Sequence, residues 1–272
     1  INDLSDAKTF GTGSIMLGDA TTGTISGANY NTGLGIDVFA ALTTGDNNTA
    51  VGYQALDANT TGSSNTAIGK SAATAITTGD YNVAIGQNAL ETATTVDSNV
   101  AVGYAALATN AAADNTAVGR NALYANTTGT INTAVGFEAL KANTTANGNT
   151  GLGRKALTAN TSGANNTSVG ADALLANTTA SSNVAIGVSA GNLWTTNGNN
   201  VAIGKGSAET TGTTCTDGVW IGYNCGSTEA IDGSKAGQVV IGASAQVPNA
   251  ENCVAIGKSC PGQGNNTVTF GK

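Results

Sequence analysis

The stretch Asn82-Val83-Ala84-Ile85-Gly86 decides the fold, because the same phrase returns in phase along most of the chain. It stands as Asn48-Thr49-Ala50-Val51-Gly52 and Asn65-Thr66-Ala67-Ile68-Gly69 before it, and as Asn99-Val100-Ala101-Val102-Gly103 after it. From Gly18 to Gly204 the successive glycines are 17 residues apart, with a single step of 16 between Gly103 and Gly119. So short a fixed period marks a stacked repeat protein, in which each coil covers the apolar face its neighbour cannot bury alone. The predicted fold is all-β, a parallel β-solenoid of about 15 coils at the usual inter-strand spacing.

Numbering each coil from its glycine as position 0 makes the chemistry of the repeat explicit. Position −4 is Asn in eleven consecutive coils, from Asn31 to Asn200. Position −3 is Thr or Val, −2 is nearly always Ala, and −1 is Val, Ile or Leu. β-Branched residues alternating with small ones between Asn and Gly read as a short strand, apolar or small on both faces. A strand of that kind is covered on both sides. One face meets the opposite wall of its own coil. The other is expected to meet another copy of the chain, with the Ala and Gly faces turned to a shared axis.

After the glycine come two variable residues and then a phrase such as Ala55-Leu56-Asp57-Ala58-Asn59-Thr60-Thr61-Gly62. The Ala and Leu are spaced to point inward, from either a second strand or one turn of helix. Thr-Thr-Gly reads as the turn into the next coil. Stacking aligns the −4 asparagines about 4.8 Å apart, so their side-chain amides are expected to form a ladder. The Asn-x-Thr triplets that match glycosylation acceptors recur because the ladder recurs.

Composition excludes several function classes. Charged residues are 10% and the formal charge is −7, from 10 basic against 17 acidic side chains. No basic stripe exists to neutralise phosphates, so nucleic acid is not an expected partner. The opening Ile1-Asn2-Asp3-Leu4-Ser5-Asp6 has no basic head and apolar run of a signal peptide. No run of 18 apolar residues is present, so no direct membrane insertion is expected. The reading is of a piece of a longer protein whose anchor lies elsewhere. The chain contains no histidine. That removes Ser-His-Asp and Cys-His machinery and every His-ligated metal site, and neither an enzyme nor a cofactor is expected. Asp46, Asp80 and Asp97 share one phase, read as solvated turn aspartates rather than a calcium site.

Position +1 is the most informative variable slot. It holds Tyr53, Lys70, Gln87, Tyr104, Arg120, Phe137, Arg154 and Lys205 among others, and takes half of the basic residues. Tyr53, Lys70, Tyr104, Arg120, Phe137, Arg154 and Lys205 form a candidate surface-recognition ridge, suited to sugars or anionic polymers through stacking and charge. Thr60-Thr61, Thr77-Thr78, Thr127-Thr128 and Thr178-Thr179 recur in register and suggest an ice-binding solenoid as a minor alternative.

The phrase Asn-x-Ala-Val/Ile-Gly, iterated over nearly the whole chain, resembles the head repeat of YadA-type trimeric autotransporter adhesins and the same module in bacteriophage tail fibres. Its strongest matches are at 82–86, 183–187 and 200–204, with later ones at 239–245 and 254–257. The resemblance implies a left-handed parallel β-roll, assembled as a homotrimer at a fibre tip and used for attachment, with no catalytic residues. The 17-residue period is longer than the family's, which predicts a longer turn at the Asn-Thr-Thr-Gly edge. No heptad stalk or membrane barrel accompanies the repeats, favouring a virion fibre or similar extracellular appendage. The expected function is attachment to a host or surface through a glycan or protein receptor, with a purely structural rod or spacer as the alternative.

Three segments are expected: a lead-in over 1–14, regular coils over 15–210, and irregular Cys-containing coils with a cap or junction over 211–272. Glycine spacing in the last becomes 18, 20, 15 and 14 residues, and Trp220 replaces the usual Ala. Cys225 and Cys260 share a phase but lie two coils apart, about 9–10 Å, too far for a disulfide. The workable pairings are Cys215 with Cys225 and Cys253 with Cys260, set against the reading that Cys merely replaces a small residue.

Overall fold

The computed structural model describes residues 7–18, 27–209, 216–226, 236–247 and 251–271. They contain seventeen short strands, β1 to β17, and no helix. Two compact units divide the chain after residue 132. In the first, β1 (Ala7–Phe10) pairs antiparallel with β2 (Ser14–Leu17), and every later strand up to β8 (Thr116–Val118) lies parallel to the one before it. In the second, β9 (Thr133–Val135) to β17 (Val268–Phe270) are parallel in the same way. The architecture is a parallel β-solenoid of about 14 turns spaced by about 17 residues. Equivalent residues stand in register, as in Ala67 beside Ala84 and Ala84 beside Ala101. The antiparallel β1 belongs to the segment expected only as a lead-in, and it closes the outer edge of β2.

The strands are the three residues at −3 to −1, with the middle one buried. Ala50, Ala67, Ala84, Ala101, Ala185 and Ala202 are all completely buried within a single chain. The expectation that the Ala face meets another copy is therefore corrected. In the regular coils the inward position takes a small residue, Ala, Gly or Ser, because Leu at +4 fills the space opposite, and the bulkier Thr, Val, Ile and Leu point out. Ile68 is 39% exposed and Leu152 45% exposed on that outer face.

The glycine at position 0 has φ near +130°, for instance 135° at Gly69. A Cβ on Gly69 would lie 2.7 Å from the carbonyl carbon and oxygen of Gly86. Coils cannot come within hydrogen-bonding distance at this corner with any other residue.

The segment after the glycine is neither strand nor helical turn. Positions +2 and +4 adopt positive φ in coil after coil, as in Asn121 (57°) and Leu123 (49°). Left-handed residues alternate with residues of negative φ and fold the chain inward, so both Ala122 and Leu123 are fully buried. A left-handed L-residue costs roughly 1–2 kcal/mol, and a buried Leu returns roughly 1.5–3 kcal/mol. Burial wins by a small margin. From Phe39 to Ala208 position +4 is Phe, Leu, Ala or Gly and never β-branched, which positive φ would penalise most.

The Asn-Thr-Thr-Gly segment bends at its two threonines, with Thr61 exposed, while its ends reach inward. Its Asn at +7 is buried in Asn59, Asn110, Asn126, Asn143, Asn160 and Asn177, and so is Gly62 at +10. The extra residues of the longer period line a second polar row inside the coil.

Candidate functional site

Two asparagine rows run inside the stack and fix where each outer side chain stands. In the −4 row the side-chain oxygen accepts the backbone N–H of the next asparagine, Asn65 to Asn48 and Asn82 to Asn65, each at 2.9 Å. The amide nitrogen donates to a carbonyl across the coil, Asn48 Nδ2 to Gly62 O at 2.9 Å. Amide-to-amide bonds are secondary, as from Asn82 Nδ2 to Asn65 Oδ1 at 3.1 Å. In the +7 row Asn160 Nδ2 donates to Asn143 Oδ1 at 3.0 Å and to Gly163 O at 2.9 Å. The second row ends where Trp194 takes the place of Asn, leaving Asn177 Oδ1 buried without a partner. Trp194 packs instead on Trp220, with ring centroids 5.5 Å apart.

Other polar residues singled out in the sequence serve the stack as well. Asp80 Oδ1 accepts the Ser63 N–H at 2.7 Å, Asp97 Oδ1 that of Asp80 at 2.8 Å, and Asp46 Oδ1 that of Asn29 at 2.6 Å. Among the described residues no three acidic or Cys side chains gather as a metal site. The first threonine of three of the pairs donates to the next coil's carbonyl, Thr60 Oγ1 to Thr77 O and Thr77 Oγ1 to Thr94 O at 3.0 Å and Thr178 Oγ1 to Thr195 O at 3.1 Å. These hydroxyls are committed to the protein.

The cysteines fill interior slots. Cys225, Cys253 and Cys260 are buried free thiols, and Cys215 lies outside the described residues. The expected Cys253–Cys260 bond is not formed. Cys253 occupies the −4 row with its sulfur 3.6 Å from Thr267 Oγ1, while the Cys260 sulfur lies 3.5 Å from Thr269 O. Each sulfur is directed at the next coil rather than at the other. The Ser207 hydroxyl donates to Trp220 O at 3.0 Å, so the Cys225 thiol donates to Ser207 Oγ across 3.2 Å. Burial pushes the Cys225 thiol up despite that hydrogen bond, keeping it protonated and unreactive.

The +1 side chains all reach the surface. Tyr53 (44%), Tyr104 (48%) and Phe137 are exposed, as are Lys70, Arg120, Arg154 and Lys205. Their backbone is pinned within each unit, where the carbonyl of one coil accepts the +2 N–H of the next. Tyr53 O takes Ser71 N–H at 2.8 Å, Phe137 O takes Lys155 N–H at 2.8 Å, and Arg154 O takes Asp172 N–H at 2.9 Å. Within each unit the row is thus a set of side chains at regular intervals on a hydrogen-bonded support, and every ring has a cation on an adjacent coil of its own unit. Tyr53 neighbours Lys70, Tyr104 neighbours Arg120, Phe137 neighbours Arg154, and Lys205 neighbours Tyr223, an exposed ring that joins the ridge. The Arg120 guanidinium carbon lies 5.9 Å from the centre of the Tyr104 ring. Arg154 is ion-paired with Asp172, 18 residues away in sequence, which compensates its charge. Neither a family model nor a curated protein matches this chain.

Proposed function

We propose that the chain is an adhesive segment of a homotrimeric surface or virion fibre, attaching its bearer to a host or surface. The observation that carries this reading is the outer face of the strands. In each unit it presents in-register Thr, Val, Ile and Leu to solvent, on a parallel sheet of the kind ordinarily covered on both faces. A second and third copy are the occupants that match it coil for coil, since only a chain with the same pitch keeps register along the whole stripe. The +1 row lies just beyond this face and is the recognition surface. Resemblance of the repeat to trimeric adhesin heads supports the same assignment.

Sedimentation of the purified chain should give the mass of three copies, and labelled protein should bind target cells saturably. A folded monomer at micromolar concentration overturns the assembly. A trimer that binds no cell or matrix surface leaves the structural spacer.

A further inference from the structure

We infer that the recognition unit is a pair, one ring and one cation on adjacent coils of the +1 row, and that in the first unit each of the pairs Tyr53–Lys70 and Tyr104–Arg120 takes one acidic sugar of an extended anionic glycan. This rests on the attachment reading and names the chemistry of its ligand. Three observations carry it. No Asp or Glu occupies +1 in any coil from Gly35 to Gly257, although acidic residues outnumber basic ones 17 to 10. The ring and cation stand one strand spacing apart, about 4.8 Å, on backbone held by hydrogen bonds, so a bound ligand need order little of the protein. Lys70 is exposed and takes no part in the ion pairs Lys141–Glu138 and Arg154–Asp172.

The ring face offers an apolar surface to the C–H face of a pyranose, and the adjoining cation meets its carboxylate or sulfate. Spacing decides between polyanions. In the first unit Tyr53 with Lys70 and Tyr104 with Arg120 recur after three coils, 51 and 50 residues on, or about 14 Å. A nucleic-acid strand carries a phosphate about every 3.4 Å and needs a dense basic track, with its bases stacked on successive rings. A glycan of acidic sugars carries its charges a whole sugar apart and presents a pyranose face beside each, which matches two sparse cations with rings beside them.

The test is binding of the whole chain to oligouronates of increasing length, with neutral dextran and duplex DNA as comparators. Oligouronates long enough to reach both pairs should bind, while dextran and DNA do not. Lys70→Gln with Arg120→Gln should weaken binding about tenfold or more, and Tyr53→Ala with Tyr104→Ala similarly. Lys141→Gln with Lys155→Gln, equal in charge but outside the row, should leave it unchanged. Absence of oligouronate binding, equal binding of DNA or dextran, or equal effects of all three double variants overturns the inference. If cell attachment persists in that case, the adhesive reading stands without the acidic sugar. If attachment is lost as well, both fall.

Discussion

Gly69 and Leu123 show how much one residue is constrained by the coil above it. Gly69→Ala places a methyl 2.7 Å from the Gly86 carbonyl at a φ of 135°. The strain of such a backbone alone is about 1–3 kcal/mol, and the clash adds to it, so chemical denaturation should show a loss at the upper end of that range or beyond. Leu123 separates shape from size. Leu123→Met keeps volume and an unbranched Cβ and should cost under about 1.5 kcal/mol. Leu123→Ile places a β-branched residue at φ 49° and should cost clearly more, as read from urea midpoints. Asp57 carries a pH signature. Burial, and secondarily the charge of Asp37, raise its carboxyl above the ordinary 3.8. The folded chain then holds this proton more tightly than the unfolded one, so stability falls as pH rises from 3.8 through the raised value, and the loss persists above it. Asp57→Asn should remove that dependence, and its melting temperature relative to the unsubstituted chain should rise between pH 3 and pH 7.

The strand is where face assignment matters most, and two substitutions on neighbouring strands separate its roles. Ile68→Asp, on the outer face of β5 (Thr66–Ile68), should leave the circular dichroism spectrum intact but reduce the sedimenting species to a monomer. Ala84→Leu, on the inner face of β6 (Val83–Ile85), should overpack the coil and lower stability by about 1–3 kcal/mol. The strand, its bounding Gly and the Asn row were legible because residue type and period agree there. Which face is inside was not, since alternation distinguishes two faces without labelling them. The decisive clue is volume, as only Ala among Ala, Val and Ile leaves room for Leu123-type residues opposite. The burial of the +7 asparagines was not legible, because Asn-Thr-Thr-Gly has the composition of a turn and burial in a row follows from stacking rather than local propensity. The +1 row could be found from its slot alone. The Arg154–Asp172 pair could not, because it depends on how two coils present their corners.

At the scale of the molecule, hydrogen bonds between coils link residues about one period apart, so stability builds from coil and neighbour terms in sequence. The 16-residue step tests how strictly the period must hold. Between Gly103 and Gly119 one residue is missing, yet Val100 still pairs with Thr116 and Ala101 with Ala117. The loss falls at the exposed corner, where Ala112 turns inward and its carbonyl accepts Asn110 Nδ2 at 2.6 Å, replacing the bond Asn59 makes to Gly62 O. A four-residue Gly-Ser insertion between Ala111 and Ala112 should therefore cost on the order of 0.6 kcal/mol, whereas the same insertion between Ala101 and Val102 should abolish cooperative melting by breaking register. The corner is a natural graft point. Foreign peptides spliced there in successive coils would be displayed in single file, each raised one strand spacing above the last, with the scaffold beneath them undisturbed.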